Sequence, residues 1–131
     1  MSEVSCKDFQ NTVSDYLIRH KSVLDVMTKL QETTARLNRA LTKSVTSCGC
    51  AKINAEKQPL PSDASLPEIA KYAKTHLEGT ICPNCLEAIE EELGNTLFYL
   101  TAFCTLLGLD LEKIMASENN RISTLGVYSM T

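Results

Sequence analysis

Apolar residues recur along this chain at steps of three and four, the spacing that lines one side of an α-helix. A first helix is predicted from about residue 5 to 20, with Phe9, Val13, Tyr16 and Leu17 on one side. Ser22 reads as the N-cap of a second, longer helix, with Asp25 in its first turn. Its apolar positions are Leu24, Met27, Leu30, Leu37, Leu41 and Val45, a stripe interrupted where Thr34 stands. The periodicity ends at Thr46-Ser47-Cys48-Gly49-Cys50, and Gly49, Pro59 and Pro61 mark the stretch from Cys48 to Ser65 as loop. Ser65 caps a third helix, with Pro67 in its first turn and Glu68 at the capping-box position. That helix is expected to run to about Leu77, with Gly79 as its stop.

Pro83 opens a fourth helix, which carries Leu86, Ile89, Leu93, Leu97, Leu100, Cys104 and Leu107. Phe98 and Phe103 widen its apolar surface, so neighbours are expected on more than one side. Gly108 closes it, and a fifth helix follows from Asp110 to about Asn119. Residues 121–131 are left as a tail that pairs as a short strand or docks on another subunit. The fold class is therefore all-α, a single helical domain spanning residues 1–131 with loops at 47–65 and 79–85.

With 131 residues, 22% charged and 44% apolar, the chain has the composition of an ordinary globular domain with little core to spare. Its net charge of −3 argues against a general DNA or RNA binder, which carries a basic excess. No apolar run approaches the ~18 residues of a membrane span, and the first residues lack a signal-peptide pattern. A cytoplasmic protein is expected, in a compartment where thiols stay reduced.

That expectation decides how the cysteines are read. Four of the six stand in close pairs, Cys48-Gly-Cys50 and Cys82-Pro-Asn-Cys85. Each pair can grip one ion from two sides, and four thiolates complete a tetrahedral site with no open position. Cys48, Cys50, Cys82 and Cys85 are the predicted ligands of a structural zinc. An iron–sulfur cluster uses the same ligand set, and disulfides or unpaired thiols are the remaining readings. Cys6 and Cys104 fall on helices and read as packing residues. His20 and His76 stand near predicted helix ends, where a cation is favoured; His76 could replace one thiolate.

Two further segments bear a resemblance. Glu91-Glu92-Leu93-Gly94-Asn95-Thr96-Leu97-Phe98-Tyr99-Leu100, followed by Leu107-Gly108-Leu109-Asp110-Leu111-Glu112, resembles the second motif helix of the MazG-like nucleoside triphosphate pyrophosphohydrolases. There E-E-L-G-D leads into an apolar run, a glycine and a D-L-E helix. Lys29-Leu30-Gln31-Glu32-Thr33-Thr34-Ala35-Arg36-Leu37 resembles the first motif helix, K-L-x-E-E-x-x-E-L. The match covers about half of the chain. The resemblance implies an all-α bundle completed as a homodimer or homotetramer. It also implies a site in which five acids hold Mg²⁺ against a triphosphate.

Two of those acids remain, Glu32 and Glu92. Thr33, Arg36 and Asn95 occupy the other three positions. Arg36 lies one turn after Glu32, within reach of its carboxylate. Near Glu92, as the family packing implies, it would neutralise both acids and repel a divalent ion. The resemblance then implies a bundle that has lost pyrophosphohydrolase activity and serves as a binding or regulatory module, with a nucleotide or a partner in the old cleft. The alternative is a working Mg²⁺-dependent pyrophosphohydrolase that recruits Asp25 or Glu91 beside Glu32 and Glu92. A third reading makes the cysteines a redox or metal sensor. Without the resemblance, Asp25–Lys29 and Glu32–Arg36 are ordinary pairs on a wet helix face. Arg36, Arg39 and Lys43 form a basic stripe of the same kind, and Glu87, Glu90, Glu91 and Glu92 suit a helix N-terminal half.

Overall fold

Ser5 accepts the N–H of Asp8 at 3.1 Å and starts α1, Cys6–Tyr16. Five α-helices and one small sheet make up the fold, in a computed structural model that describes residues 3–126. α2 is Val23–Lys43, α3 Leu66–Tyr72, α4 Pro83–Leu106 and α5 Leu111–Leu125. The sheet pairs β1, Ala51–Ile53, with β2, Leu77–Gly79, antiparallel, Ala51 opposite Gly79 and Ile53 opposite Leu77. The all-α reading stands apart from this clip, which the loop prediction for residues 47–65 did not contain.

Three helix ends differ from expectation for local reasons. α1 stops at Tyr16 because Leu17 leaves the helical conformation and turns into the core, where it is buried. α3 stops at Tyr72 because the Gln58 side chain takes over the backbone of Lys74. Gln58 Oε1 accepts the Lys74 N–H at 2.8 Å, and Gln58 Nε2 donates to the Lys74 carbonyl at 2.9 Å. The chain is thereby drawn out straight towards β2. α5 continues past Asn119 to Leu125, taking in Ile122. The predicted tail therefore begins inside a helix, and its last part lies outside the described residues.

α2 packs chiefly on α4, antiparallel. At one end Val26 meets Ala102 in a core completed by Val13 and Leu17, with Phe9, Phe98, Phe103 and Leu106 against it. At the other end the α2 terminus meets the start of α4 at the cysteines. No residue of the main hydrophobic cluster lies at that second end.

The inward face of α2 also differs from the stripe of large apolar residues. Val26, Thr33 and, just beyond the helix, Ser44 are buried, whereas Leu24, Met27 and Leu41 are exposed. Small side chains are accommodated where two long helices approach closely; of the predicted stripe Leu30, Leu37 and Val45 are half-buried, and Leu24, Met27 and Leu41 are turned outward. On α1, Tyr16 is likewise exposed.

Gln10 ties α1 to the α4–α5 turn. Its Nε2 donates to the Leu109 carbonyl at 2.8 Å and to Thr105 Oγ1 at 3.3 Å, and its Oε1 accepts the Leu111 N–H at 2.9 Å. Gln10→Ala is expected to cost about 1–2 kcal/mol and to speed amide exchange in α5. Exchange unchanged in Leu111 and its neighbours would show that this clamp is idle.

Candidate metal centre

The last turn of α2 widens before it reaches the first cysteine. The Gly49 N–H donates to the Ser44 carbonyl at 3.0 Å, five residues back, so Ser44–Cys48 forms a π-turn. Ser44 is buried and holds the turn from inside, its hydroxyl donating to the Leu41 carbonyl at 2.6 Å. Gly49 follows with φ +80°, a left-handed conformation that glycine adopts freely. The reversal brings Cys48 and Cys50 round to the same side, and β1 starts immediately after.

β2 delivers the second pair. Gly79 has φ +84°, and a Cβ there would stand 2.7 Å from the Cys50 carbonyl oxygen. Only a glycine permits this approach, which seats the two ends of the clip against one another beside the sulfurs. Cys82 is the N-cap of α4 and Cys85 lies in its first turn. The Cys85 N–H donates to Cys82 Sγ at 3.4 Å.

The four Sγ atoms of Cys48, Cys50, Cys82 and Cys85 lie within 4.8 Å of one another, and all six cysteines are free. Cys48 Sγ and Cys82 Sγ stand 3.8 Å apart. A metal–sulfur bond of about 2.3 Å places the corners of a tetrahedron roughly 3.8 Å apart. The donor set thus fits one tetrahedral ion with small adjustments, and the four cysteines could hold a metal.

Their electrostatics point the same way. The Cys82 thiol is lowered to about 7, first by the N–H of Cys85 donated to its sulfur and then by its contact with the Cys85 thiol. The Cys85 thiol is pushed up to about 12, first by that sulfur contact with Cys82 and then by burial. One thiolate forms readily and the next is opposed by it. Four thiolates are stable together only around a cation.

No family model, curated protein or solved structure matches this chain. The site is therefore read from its own residues.

Glu32 and Glu92, the two acids singled out in the sequence, lie on the same helix pair. Glu32 on α2 accepts from Lys29 Nζ at 3.2 Å and pairs with Arg36 at 3.6 Å. Arg36 and Glu92 line one groove of about 420 Å³ between α2 and α4. Arg39, Lys43 and Glu91 share it, and Cys48 and Cys85 lie at its end. Arg36 pairs with Glu32 and not with Glu92. Among the described residues Glu92 makes no ion pair, and its buried Oε2 has no hydrogen-bond partner. Asn95 is exposed one turn further along α4.

The histidines stand elsewhere. His20 pairs through Nδ1 with Asp25 in the α1–α2 connection. His76 precedes β2 in a left-handed conformation, its carbonyl accepting the Asn54 N–H at 2.9 Å. Neither joins the sulfur cluster. Among the described residues no helix is long and apolar enough to cross a membrane.

Sequence reasoning missed Gly79 and Ser44 as parts of the site. Gly79 was legible only as a helix stop. Its pairing opposite Ala51 could have been suspected from its place three residues before the second cysteine pair.

Proposed function

We propose that this chain is a zinc-stapled helical binding module on a MazG-like bundle, with the metal holding one end of the α2–α4 groove. Convergence of the four sulfurs at the coreless end of that helix pair carries the reading. A four-thiolate zinc has no open position and stays closed to substrate. Its work is mechanical. It fixes the spacing of the groove walls that bear Arg36, Arg39 and Lys43 on one side and Glu91 and Glu92 on the other. Thr33, Arg36 and Asn95 in place of acids, and Glu32 already engaged by two cations, support loss of pyrophosphohydrolase activity. Purified protein is expected to carry one zinc per chain by native mass spectrometry, with no visible iron–sulfur absorbance. Protein that stays metal-free and equally folded in the presence of zinc would end this reading.

One observation favours the second reading, a Mg²⁺-dependent nucleoside triphosphate pyrophosphohydrolase. The unpartnered, buried Oε2 of Glu92 is an acceptor in want of a cation or a donor. The two separate in one assay. Pyrophosphate release from a panel of triphosphates with added Mg²⁺ is expected to stay at background. Release that is abolished by Glu92→Gln and by Glu32→Gln would replace the binding module with the enzyme.

A further inference from the structure

A cavity separate from the groove lies at the connection between α1 and α2. The chain has three phenylalanines, four tyrosines and no tryptophan. Three of these seven rings, Tyr16, Phe98 and Tyr99, line this one cavity of about 500 Å³. Such a volume falls within the roughly 300–1,000 Å³ of small-molecule sites. The cavity shares no lining residue with the groove that runs from Arg36 to Cys85.

The break after α1 creates it. Leu17 turns into the core, and the Ile18 N–H donates to the Tyr16 carbonyl at 3.0 Å, so the chain reverses tightly. Ile18, Arg19 and His20 then pass beside Phe98 and Tyr99 of α4. Core packing accounts for Leu17, and for Phe98, which rests against the hydrophobic cluster. It does not account for Tyr16, Ile18 and Arg19, which are exposed around the same opening.

The polar groups at this opening favour an anion. Arg19 makes no ion pair among the described residues, and none of them that lines the cavity is an acid. Asp25 is committed to His20 Nδ1, which fixes the imidazole and leaves its Nε2 without a partner among the described residues. That nitrogen is able to accept from a hydroxyl or donate to an oxygen. His20 stands edge-on to Tyr99, with ring centroids 5.8 Å apart, and Tyr99 meets Phe98 edge-on at 5.1 Å. Lys29 Nζ lies 5.8 Å from the centre of the Tyr99 ring and adds positive charge there, shared with Glu32.

We propose that this cavity is a binding site for a small planar aromatic acid. The ring of the ligand packs against Phe98 and Tyr99, whose own edge-on contacts show the geometry that aromatic rings prefer. Its carboxylate is held by Arg19, whose planar guanidinium matches two carboxylate oxygens. A hydroxyl or ring N–H on the ligand meets His20 Nε2. An aliphatic acid satisfies Arg19 and forgoes the ring contacts, whereas a neutral arene does the reverse, so each is a poorer ligand. None of the residues that line this cavity belongs to the sulfur cluster or the groove, so the site stands independently of the zinc reading.

The test is a two-dimensional amide NMR titration of the full, zinc-loaded chain with benzoate, para-hydroxybenzoate and β-naphthoate. At least one is expected to saturate with a Kd of about 1 mM or below, and its shifts are expected to centre on Leu17, Arg19, His20 and Tyr99. Arg19→Gln, at an exposed position that the fold does not lean on, is expected to weaken that binding roughly tenfold or more. Cyclohexanecarboxylate keeps the charge and lacks the aromatic ring; it is expected to bind roughly fivefold more weakly than the best of the three. This comparison needs no variant and so holds even if Arg19→Gln misfolds. Four results would each overturn the proposal: no saturation by any of the three up to about 10 mM, shifts that run along Arg36, Arg39 and Lys43 instead, an Arg19→Gln chain that binds as tightly as the wild type, or cyclohexanecarboxylate binding as tightly as the aromatic acids.

Discussion

Serine at Cys50 or Cys82 is expected to lower the melting temperature by roughly 10 °C or more, whereas Cys6→Ser moves it by no more than about 2 °C. The difference follows from where the core lies. Val13, Leu17, Val26 and Ala102 close one end of the α2–α4 pair with apolar contacts. The other end has only the buried Ser44 and Ala51 beside the four sulfurs. Losing one of four ligands there leaves a charged, half-made site, and structural zinc contributes directly to folding free energy. A loss of about 3 kcal/mol corresponds to that shift for a chain of this length. Cys6 instead is half-buried outside the sulfur cluster, its thiol donating to the Met115 sulfur at 3.0 Å, and serine fits its place. Thermal unfolding of the three variants, each with its zinc content, checks this. Equal melting points would mean that the sulfurs hold nothing the fold depends on.

Gly79→Ala is expected to be nearly as damaging, although it touches no ligand. The residue has φ +84°, which costs an L side chain about 1 kcal/mol. The added methyl would also press on the Cys50 carbonyl, which is backbone and cannot rotate aside. Together these cost about 2–3 kcal/mol. The strain falls on the residue that carries one of the four sulfurs, so the variant is expected to surrender zinc to a colorimetric chelator faster than the wild type. Gly49→Ala provides the comparison. Its φ is +80° but open space surrounds it, so only the conformational cost applies. If the two variants lose zinc and stability equally, the contact between Gly79 and Cys50 carries no weight.

The long helices and the sulfur cluster were legible in the sequence for different reasons. α4 announces itself because seven apolar positions keep helical step over nearly six turns, framed by Pro83 and Gly108. The cysteine pairs do so because their spacing leaves few other chemistries. The orientation of the helices was less legible. Periodicity marks an apolar stripe without saying whether this chain or another covers it. On α2 the side chains that point inward are Val26 and Thr33, not the larger Leu24 and Met27. On α4 the leucines of the predicted stripe are exposed, Ile89 is half-buried and Cys104 is buried. The clip was not legible at all. β1 and β2 are three residues each, too short to show alternation, and their pairing joins positions far apart in the chain. The ends of α1 and α3 were set by Leu17 and Gln58, tertiary contacts that no local pattern records.

The clip has one more consequence. Both strands and all four sulfurs sit at its neck, so the excursion between Asn54 and His76 hangs from a clamped base. Once the ends of a segment are pinned, doubling its length costs only about 0.6 kcal/mol in chain entropy. The segment from Asn54 to His76 is in effect a replaceable cartridge. Sequences of other lengths, or a small inserted domain, can be spliced there without disturbing how the long helices meet.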